Sequence, residues 1–200
     1  MKNLAFITIA FLLLYSCSQK KELPFYGKKV INGESVTQQV PAFNFTDQKN
    51  EAVSAETFKD DIYVVDFFFT SCPSICPIMT KNMVNVYKEF KENGDVKIMS
   101  VSIDPKRDTV EQLNAYALKS GIGDNDTWHF VTGEKDDIYD LAKFFSILAY
   151  EDSTVPGGFE HNGYFLLVDK NKYIRGYYDG TRDEEIPKII DDIHVLLDER

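Results

Sequence analysis

Two patterns of hydrophobic residues alternate along the chain. Nearly continuous apolar runs, rich in β-branched and aromatic side chains, are typical of strands that are covered on both faces of a sheet. Such runs occupy residues 62–69, 96–104 and 164–169. Apolar residues that recur every three or four positions indicate amphipathic helices instead. This spacing predicts helices within residues 79–92, 110–117 and 136–148.

Shorter patterns complete the predicted elements. Apolar side chains at Phe43 and Phe45, followed by a turn at residues 47–50, predict a β-hairpin at the start of the domain. Two further strands and a last helix are predicted at residues 128–131, 172–178 and 183–197. Residues 150–163 have no regular pattern and are expected to be irregular.

The order of these elements, β–α–β–α–β–α–β–β–α, predicts an α/β protein. It matches the thioredoxin-like fold, here with a central mixed sheet, flanking helices and an N-terminal β-hairpin extension. In such sheets, ligands bind at the carboxyl ends of the strands. The segment TSCPSICP, residues 70–77, directly follows the apolar strand at residues 62–69. This loop is therefore the predicted position of a functional site.

The chain length and the net charge limit the classes of function that are possible. A chain of 200 residues accommodates one domain and an appendage, and a hydrophobic fraction of 44% is ordinary for a globular protein. The formal net charge is −10. Because nucleic-acid binding needs a basic surface that neutralises phosphates, this charge argues against a nucleic-acid partner.

The N-terminus has the features of an export signal. A single lysine precedes an apolar run, residues 4–15, that is too short for an ordinary membrane-spanning helix. The run ends in LYSC, residues 14–17, which resembles the lipobox of bacterial lipoproteins. We therefore expect a lipoprotein signal peptide at residues 1–16, a lipidated tether at residues 17–40 and the thioredoxin-like domain at residues 41–200.

A lipid on Cys17 would hold the exported domain at a bacterial cell membrane, on the periplasmic or extracytoplasmic side. A plain signal peptide, or a membrane-anchoring helix with a chance cysteine, is the alternative. The lipid would also use one of the three cysteines, which leaves Cys72 and Cys76 as the only thiols. A structural disulfide framework is therefore excluded.

Cys72 and Cys76 lie in the predicted loop with three residues between them. Pro77 fits the first turn of a helix, so Cys76 is predicted at a helix N-terminus, where the macrodipole favours a thiolate. A thiolate is both the nucleophile of disulfide exchange and a metal ligand. The pair alone therefore leaves three interpretations open: a redox pair, an ordinary disulfide and a metal site.

Two observations favour the metal site. Pro73, Ser74 and Ile75, which separate the cysteines, include no acid or base that could relay a proton. His161 precedes the strand at residues 164–169, and this fold brings that point beside the cysteine loop. Two thiolates and one imidazole form a soft ligand set suited to copper. A solvent-exposed loop histidine is the alternative for His161.

Three segments resemble the Sco/SenC family of thioredoxin-fold copper chaperones: FFFTSCPSICPIM, SVSIDPKRDT and HNGYFLLVD. The resemblance covers residues 41–197. It implies a copper ion, Cu(I) or Cu(II), bound by Cys72, Cys76 and His161. It also implies that Asp104 lies next to these ligands and influences them without binding the ion itself.

The chain departs from the family pattern at Ser71, where histidine is frequent, and at Ser74, where aspartate is frequent. Neither position supplies a ligand, so the metal interpretation is unaffected. Asp104 also has a simpler interpretation, because an aspartate before a proline is often a turn residue that accepts hydrogen bonds from its own backbone.

The resemblance implies a membrane-tethered metallochaperone rather than an enzyme. Its role would be to deliver copper to, or to prepare the thiols of, the binuclear copper centre of cytochrome c oxidase. The implied partners are the copper-bearing subunit of that oxidase and a thiol–disulfide reductant. Two alternatives remain: a thiol–disulfide oxidoreductase that acts on exported proteins through Cys72 and Cys76, and a peroxiredoxin-like peroxidase.

Overall fold

The computed structural model describes residues 21–123 and 125–199. The strands of this part are β1 (Lys28–Ile31), β2 (Glu34–Thr37), β3 (Asn44–Asp47), β4 (Ala52–Ser54), β5 (Ile62–Phe68), β6 (Val96–Ser102), β7 (Trp128–Thr132), β8 (Ala149–Glu151), β9 (Phe159–His161), β10 (Tyr164–Val168) and β11 (Ile174–Asp179). The helices are α1 (Cys76–Phe90), α2 (Val110–Lys119), α3 (Lys135–Phe144) and α4 (Ile186–Asp198). None of these helices is long and apolar enough to cross a membrane.

The strand β5 is an interior strand of a seven-stranded mixed sheet with the order β11–β10–β5–β6–β7–β3–β4. β5, β6 and β7 run parallel, whereas β10, β11 and the β3–β4 hairpin are added antiparallel. Every residue of β5 is buried. The predicted α/β fold, with its mixed sheet and its hairpin extension, is therefore confirmed.

Helices cover both faces of this sheet. Successive residues of a strand point to opposite faces. Phe68 contacts Tyr116 of α2, with ring centroids 5.2 Å apart, whereas its neighbour Phe67 contacts Phe145 at the end of α3. α1 and α4 pack against each other. Because both faces of β5 are covered, its side chains can be apolar almost without interruption.

The helix α1 begins where the sequence predicts. Cys76 is its first residue and Pro77 lies in the first turn, where a missing N–H leaves no helical hydrogen bond unmade. The buried face of the helix carries apolar residues at helical spacing, namely Met79, Met83, Val86 and Phe90. The loop of residues 69–75 thus joins the carboxyl end of the central strand to the N-terminus of a helix fixed by its buried face.

Two stretches differ from the sequence prediction. The segment that was expected to be irregular contains the short antiparallel hairpin β8–β9, in which Ala149 pairs with His161. The helix α3 ends at Phe144 and not at residue 148, because Ser146 adopts a left-handed conformation with φ of 56°. Strands of three residues carry too few side chains for alternation to be recognised.

Residues 21–40 lie against the domain. β1 and β2 form an exposed hairpin, but Leu23 and Val40 on either side of it are buried. The backbone N–H of Val40 donates to the carbonyl of Lys172, and the guanidinium of Arg175 donates to the carbonyl of Leu23. This part of the predicted tether is therefore docked on the β11 edge. The predicted signal peptide and Cys17 lie outside the described residues.

Candidate metal centre

Three side chains from three parts of the chain meet at the carboxyl end of the central strand. The ligand atoms of Cys72, Cys76 and His161 all lie within 4.8 Å of one another, and all three residues are buried. The sulfur of Cys76 is 3.3 Å from Nε2 of His161. Both cysteines are free thiols. Within the described ranges, no other three histidine, cysteine or acidic residues are placed together in this way.

Local structure orients each of the three side chains. Cys72 follows β5 in a turn, in which its N–H donates to the carbonyl of Phe69 at 3.2 Å. Cys76 is held by the first turn of α1. His161 ends β9, and its Nδ1 lies 3.3 Å from the carbonyl of Asn162. A proton on Nδ1 that is donated to this carbonyl leaves Nε2 free to accept a proton or to bind a metal.

Aromatic rings close the site on one side. The ring of Phe69 lies 5.8 Å from the imidazole of His161, edge to face, and 5.3 Å from the ring of Phe159. Gly157, in the β8–β9 turn, passes over Phe69 with φ of +93°. A Cβ there would lie only 2.8 Å from a Phe69 ring carbon, so the close approach requires glycine.

The two thiols have opposite pKa shifts. Donation of a hydrogen bond from Cys76 lowers the pKa of Cys72 to about 3, against the opposing effect of burial and with further help from His161. The same contact, together with burial and repulsion by the Cys72 thiolate, raises the pKa of Cys76. Cys72 therefore carries the first negative charge of the pair, while Cys76 keeps its proton.

This assignment corrects one sequence expectation. The N-terminus of α1 was expected to favour a thiolate at Cys76, its first residue. Instead, the backbone N–H of Cys76 donates to the sulfur of Cys72 and lowers the pKa of that thiol. The free amides of a helix N-terminus point away from the helix along its axis, towards the preceding loop. The thiol in the loop is therefore the one that they stabilise.

A buried carboxyl group on β5 belongs to the electrostatics of the site. Asp66 accepts a hydrogen bond of 2.5 Å from the hydroxyl of Ser100, which in turn accepts one from the indole of Trp128. Burial raises the pKa of Asp66 to about 6, although the hydrogen bond from Ser100 and the nearby His161 lower it. Asp66 could have been identified from the sequence, because it is the one acidic residue in an otherwise apolar strand.

Asp104 lies near the site without joining the three side chains. It is buried, and one of its carboxylate oxygens lies 3.6 Å from Nε of Arg107. The same guanidinium donates to the hydroxyl of Ser71, the residue before Cys72. Asp104 thus reaches the loop only through Arg107 and Ser71, and it also accepts a hydrogen bond from the Arg107 backbone, as a turn residue does.

Asp108 holds the loop more directly than Asp104 does. Its carboxylate accepts hydrogen bonds from both the N–H and the hydroxyl of Thr70, at 2.9 Å and 2.6 Å. It also accepts one of 2.6 Å from the hydroxyl of Ser102 at the end of β6. Thr109, the next residue, caps α2.

The three donors fit a soft metal ion. With bonds of about 2.3 Å to sulfur and about 2.0 Å to imidazole nitrogen, three ligands around one ion stand roughly 3.5–4 Å apart. The ligand atoms already lie within 4.8 Å of one another, so small side-chain movements suffice. Thiolates favour soft ions, among them Cu(I) and Zn²⁺, and three donors are fewer than the four of a structural zinc site.

Comparison with known proteins gives one consistent result. A family model described as SCO1/SenC matches residues 32–198. The SCO1 protein homolog of Bacillus subtilis is 32% identical over 167 residues, which cover 80% of this chain and 83% of that protein.

Two solved structures agree with this match. A SCO1/SenC family lipoprotein from Bacillus anthracis is 32% identical, with a TM-score of 0.74 over 81% of this chain and 96% of the other. BsSco, described as a member of the Sco family of cytochrome c oxidase assembly proteins with a disulfide switch, is 31% identical. Its TM-score is 0.71, over 80% of this chain and 94% of the other. The chain therefore belongs to the SCO1/SenC family.

Proposed function

We propose that this protein is a copper chaperone that is tethered to a membrane and serves the assembly of cytochrome c oxidase. The observation that carries the proposal is the buried group of Cys72, Cys76 and His161. These residues would bind one copper ion, which is the cargo of the protein. The acceptor would be the copper-bearing subunit of the oxidase, with a thiol–disulfide reductant keeping the two cysteines reduced.

The charges of the site suit Cu(I). The lowered pKa of Cys72 favours its thiolate at neutral pH, and donation from Nδ1 of His161 to the carbonyl of Asn162 leaves Nε2 to bind the ion. Binding of the ion would displace the proton of Cys76, because metal ligation favours the thiolate form. The aromatic wall of Phe69 and Phe159 would limit access of water and oxidants to the bound ion.

Delivery would proceed by exchange of ligands between thiols. Cys72 is 8% exposed, whereas Cys76 is 1% exposed. An acceptor thiolate therefore reaches the ion from the Cys72 side, replaces Cys72 first and leaves Cys76 and His161 to be replaced later. Reduced cysteines are required for this exchange, so a disulfide between Cys72 and Cys76 would be the inactive state.

The anchor and the location follow from the N-terminal sequence. Cleavage of the signal peptide, residues 1–16, would expose Cys17 for lipidation, with residues 17–40 as the tether and residues 41–200 as the copper-binding domain. The B. anthracis relative, described as a lipoprotein, supports this arrangement. The domain would then face the periplasmic or extracytoplasmic side of a bacterial membrane.

A thiol–disulfide oxidoreductase is the second candidate, and the opposite pKa shifts of the two thiols favour it. The Cys72 thiolate would attack a substrate disulfide and form a mixed disulfide with one substrate sulfur, releasing the other as a thiol. Cys76 would then attack Cys72, giving a Cys72–Cys76 disulfide and the fully reduced substrate. This activity would reduce a disulfide of the acceptor to the two thiols that then receive copper.

Metal analysis of the reduced protein tests the first candidate. We expect one copper per chain and a thiolate-to-copper charge-transfer band in ultraviolet absorption. His161→Ala should weaken binding strongly, whereas His194→Ala, which changes an exposed histidine on α4, should not. Unchanged copper affinity in His161→Ala would contradict the three-ligand site. Reduction of disulfides by a protein that binds no metal would favour the oxidoreductase.

A further inference from the structure

A groove of about 330 Å³ leads away from the metal site between α1 and α2. Cys72 lies at one end of it, and Val84 and Tyr116 form part of its apolar lining. Cys72 is the thiol that we expect an acceptor to reach first. The groove therefore connects the most accessible ligand of the site with the protein surface.

Contacts between α1 and α2 fix the two sides of the groove relative to each other. The hydroxyl groups of Thr80 on α1 and Tyr116 on α2 are hydrogen bonded at 2.7 Å. The ring of Tyr116 is further fixed against Phe68 and Phe130 of the sheet. This hydrogen bond ties the two helices together at the residues that line the groove.

The charge of the groove is opposite to that of the rest of the protein. The chain has 32 acidic and 22 basic residues. Yet the groove is lined by Lys81 and Lys119, and no carboxylate is among its lining residues in the described part of the chain. The nearest ion pair joins Lys81 to Asp183 at 4.0 Å, with both side chains more than 70% exposed, so it contributes little.

We infer that this groove binds an acidic, cysteine-containing peptide segment of the partner protein, with the partner's thiol placed at Cys72. Lys81 and Lys119 bind carboxylates of the segment, and the apolar lining receives its side chains. This inference rests on the proposed function, in which an acceptor thiol replaces Cys72. Two lysines on an otherwise acidic protein also orient an acidic partner during its approach.

A metal-free exchange reaction tests the inference. The probe is a short synthetic peptide with several aspartates and one cysteine, activated as a 2-pyridyl disulfide. The Cys72 thiolate attacks the peptide sulfur, a Cys72–peptide disulfide forms, the peptide–pyridyl disulfide breaks and 2-thiopyridone is released and measured. An otherwise identical peptide with asparagines in place of aspartates reports the contribution of charge.

The variant Lys81→Glu/Lys119→Glu removes the proposed attraction. Lys59→Glu/Lys170→Glu is the matched control, because it changes the net charge equally at exposed or partly exposed lysines near the opposite end of the sheet. We expect the groove variant to react with the acidic peptide about tenfold more slowly than the wild type, and the control to stay within about twofold. The asparagine peptide and 2,2′-dithiodipyridine should react equally with all three proteins.

Equal rates of wild type and groove variant with the acidic peptide would overturn the inference. An equally large loss of rate in Lys59→Glu/Lys170→Glu would also overturn the inference, because it would show that net charge alone determines the rate. The reaction contains no metal, so failure of the protein to bind copper would contradict the proposed function without changing this result. Normal copper binding in a protein with no preference for the acidic peptide would refute only the docking groove.

Discussion

Cys72 and Cys76 share one hydrogen bond but lie in different surroundings. Cys72 accepts hydrogen bonds from Cys76 and from backbone N–H groups, whereas Cys76 is almost fully buried. A thiol that receives several hydrogen bonds loses its proton more easily, and a buried one less easily. The two thiols of one site thus differ in acidity, and Cys72, which is the more exposed and the more acidic, is the proposed entry point for partners.

Alkylation with iodoacetamide should show this difference. In the reduced, metal-free protein we expect Cys72 to be modified at a rate that is nearly constant between about pH 5 and pH 8, because its thiolate persists well below neutral pH. Cys76→Ala removes the donor of the strongest hydrogen bond and should move the pH dependence of Cys72 towards that of an ordinary thiol. Cys76→Ser, which keeps a donor, should move it less. A Cys72 rate that rises steeply above pH 7 in the wild type would contradict the assignment.

The buried Asp66 should make stability depend on pH. Its pKa is about 6 in the folded protein and lower in the unfolded chain, so the folded state retains a proton that the unfolded state has lost. Stability should therefore fall as the pH rises from about 4 through about 6, by roughly 2–3 kcal/mol.

Urea unfolding at several pH values measures this slope. Asp66→Asn should remove most of it and stabilise the protein at neutral pH, because no charge is then buried. Asp191→Asn, an exposed change of the same charge on α4, should keep the wild-type slope. An unchanged slope in Asp66→Asn would show that the carboxylate is better solvated than its position indicates.

At the scale of elements, the site depends on three connections: β5 to α1, β6 to α2, and β9 to β10. The first was predictable from sequence, because a continuous apolar run and Pro77 mark the end of a strand and the start of a helix. The β8–β9 hairpin was not, since its two strands have three residues each. Asp108 was also missed, because its partner in the cysteine loop, Thr70, lies 38 positions earlier in the chain.

The β8–β9 hairpin should set the position of His161. Gly157→Ala would place a Cβ against the ring of Phe69, which in turn contacts His161, and should weaken copper binding about tenfold or more. Gly158→Ala is the control, because Gly158 also has a positive φ but no atom lies within 4 Å of its added Cβ. Both variants should lose roughly 1 kcal/mol of stability from backbone strain. Equal copper affinities in the two would show that the hairpin does not position the histidine.

On the scale of the whole molecule, Arg175 joins three distant segments. Its guanidinium donates to Asp169 and Glu199 and to the carbonyls of Leu23 and Pro24, which ties β11 to the C-terminal end and to the segment before β1. The arginine and Asp169 are both buried. No sequence pattern indicates this connection, because Leu23 and Arg175 are 152 positions apart.

Removing the arginine should destabilise the whole domain. Arg175→Met leaves the buried Asp169 without its partner and should lower the free energy of unfolding by about 3–5 kcal/mol. Arg182→Met, which removes an exposed pair with Glu184, should cost less than about 1 kcal/mol. Urea denaturation measures both. A small effect of Arg175→Met would show that residues 21–40 contribute little to folding.

Transfer of copper between proteins tests the central claim most directly. The reduced protein, loaded with one equivalent of Cu(I), is mixed with the reduced, metal-free copper domain of the oxidase subunit, and the two are separated and analysed for metal. We expect copper to move to the acceptor, and the Cys72→Ser and His161→Ala proteins neither to load nor to transfer it comparably. Retention of all copper on the loaded wild-type protein, or transfer unaffected by both substitutions, would contradict a role in copper delivery.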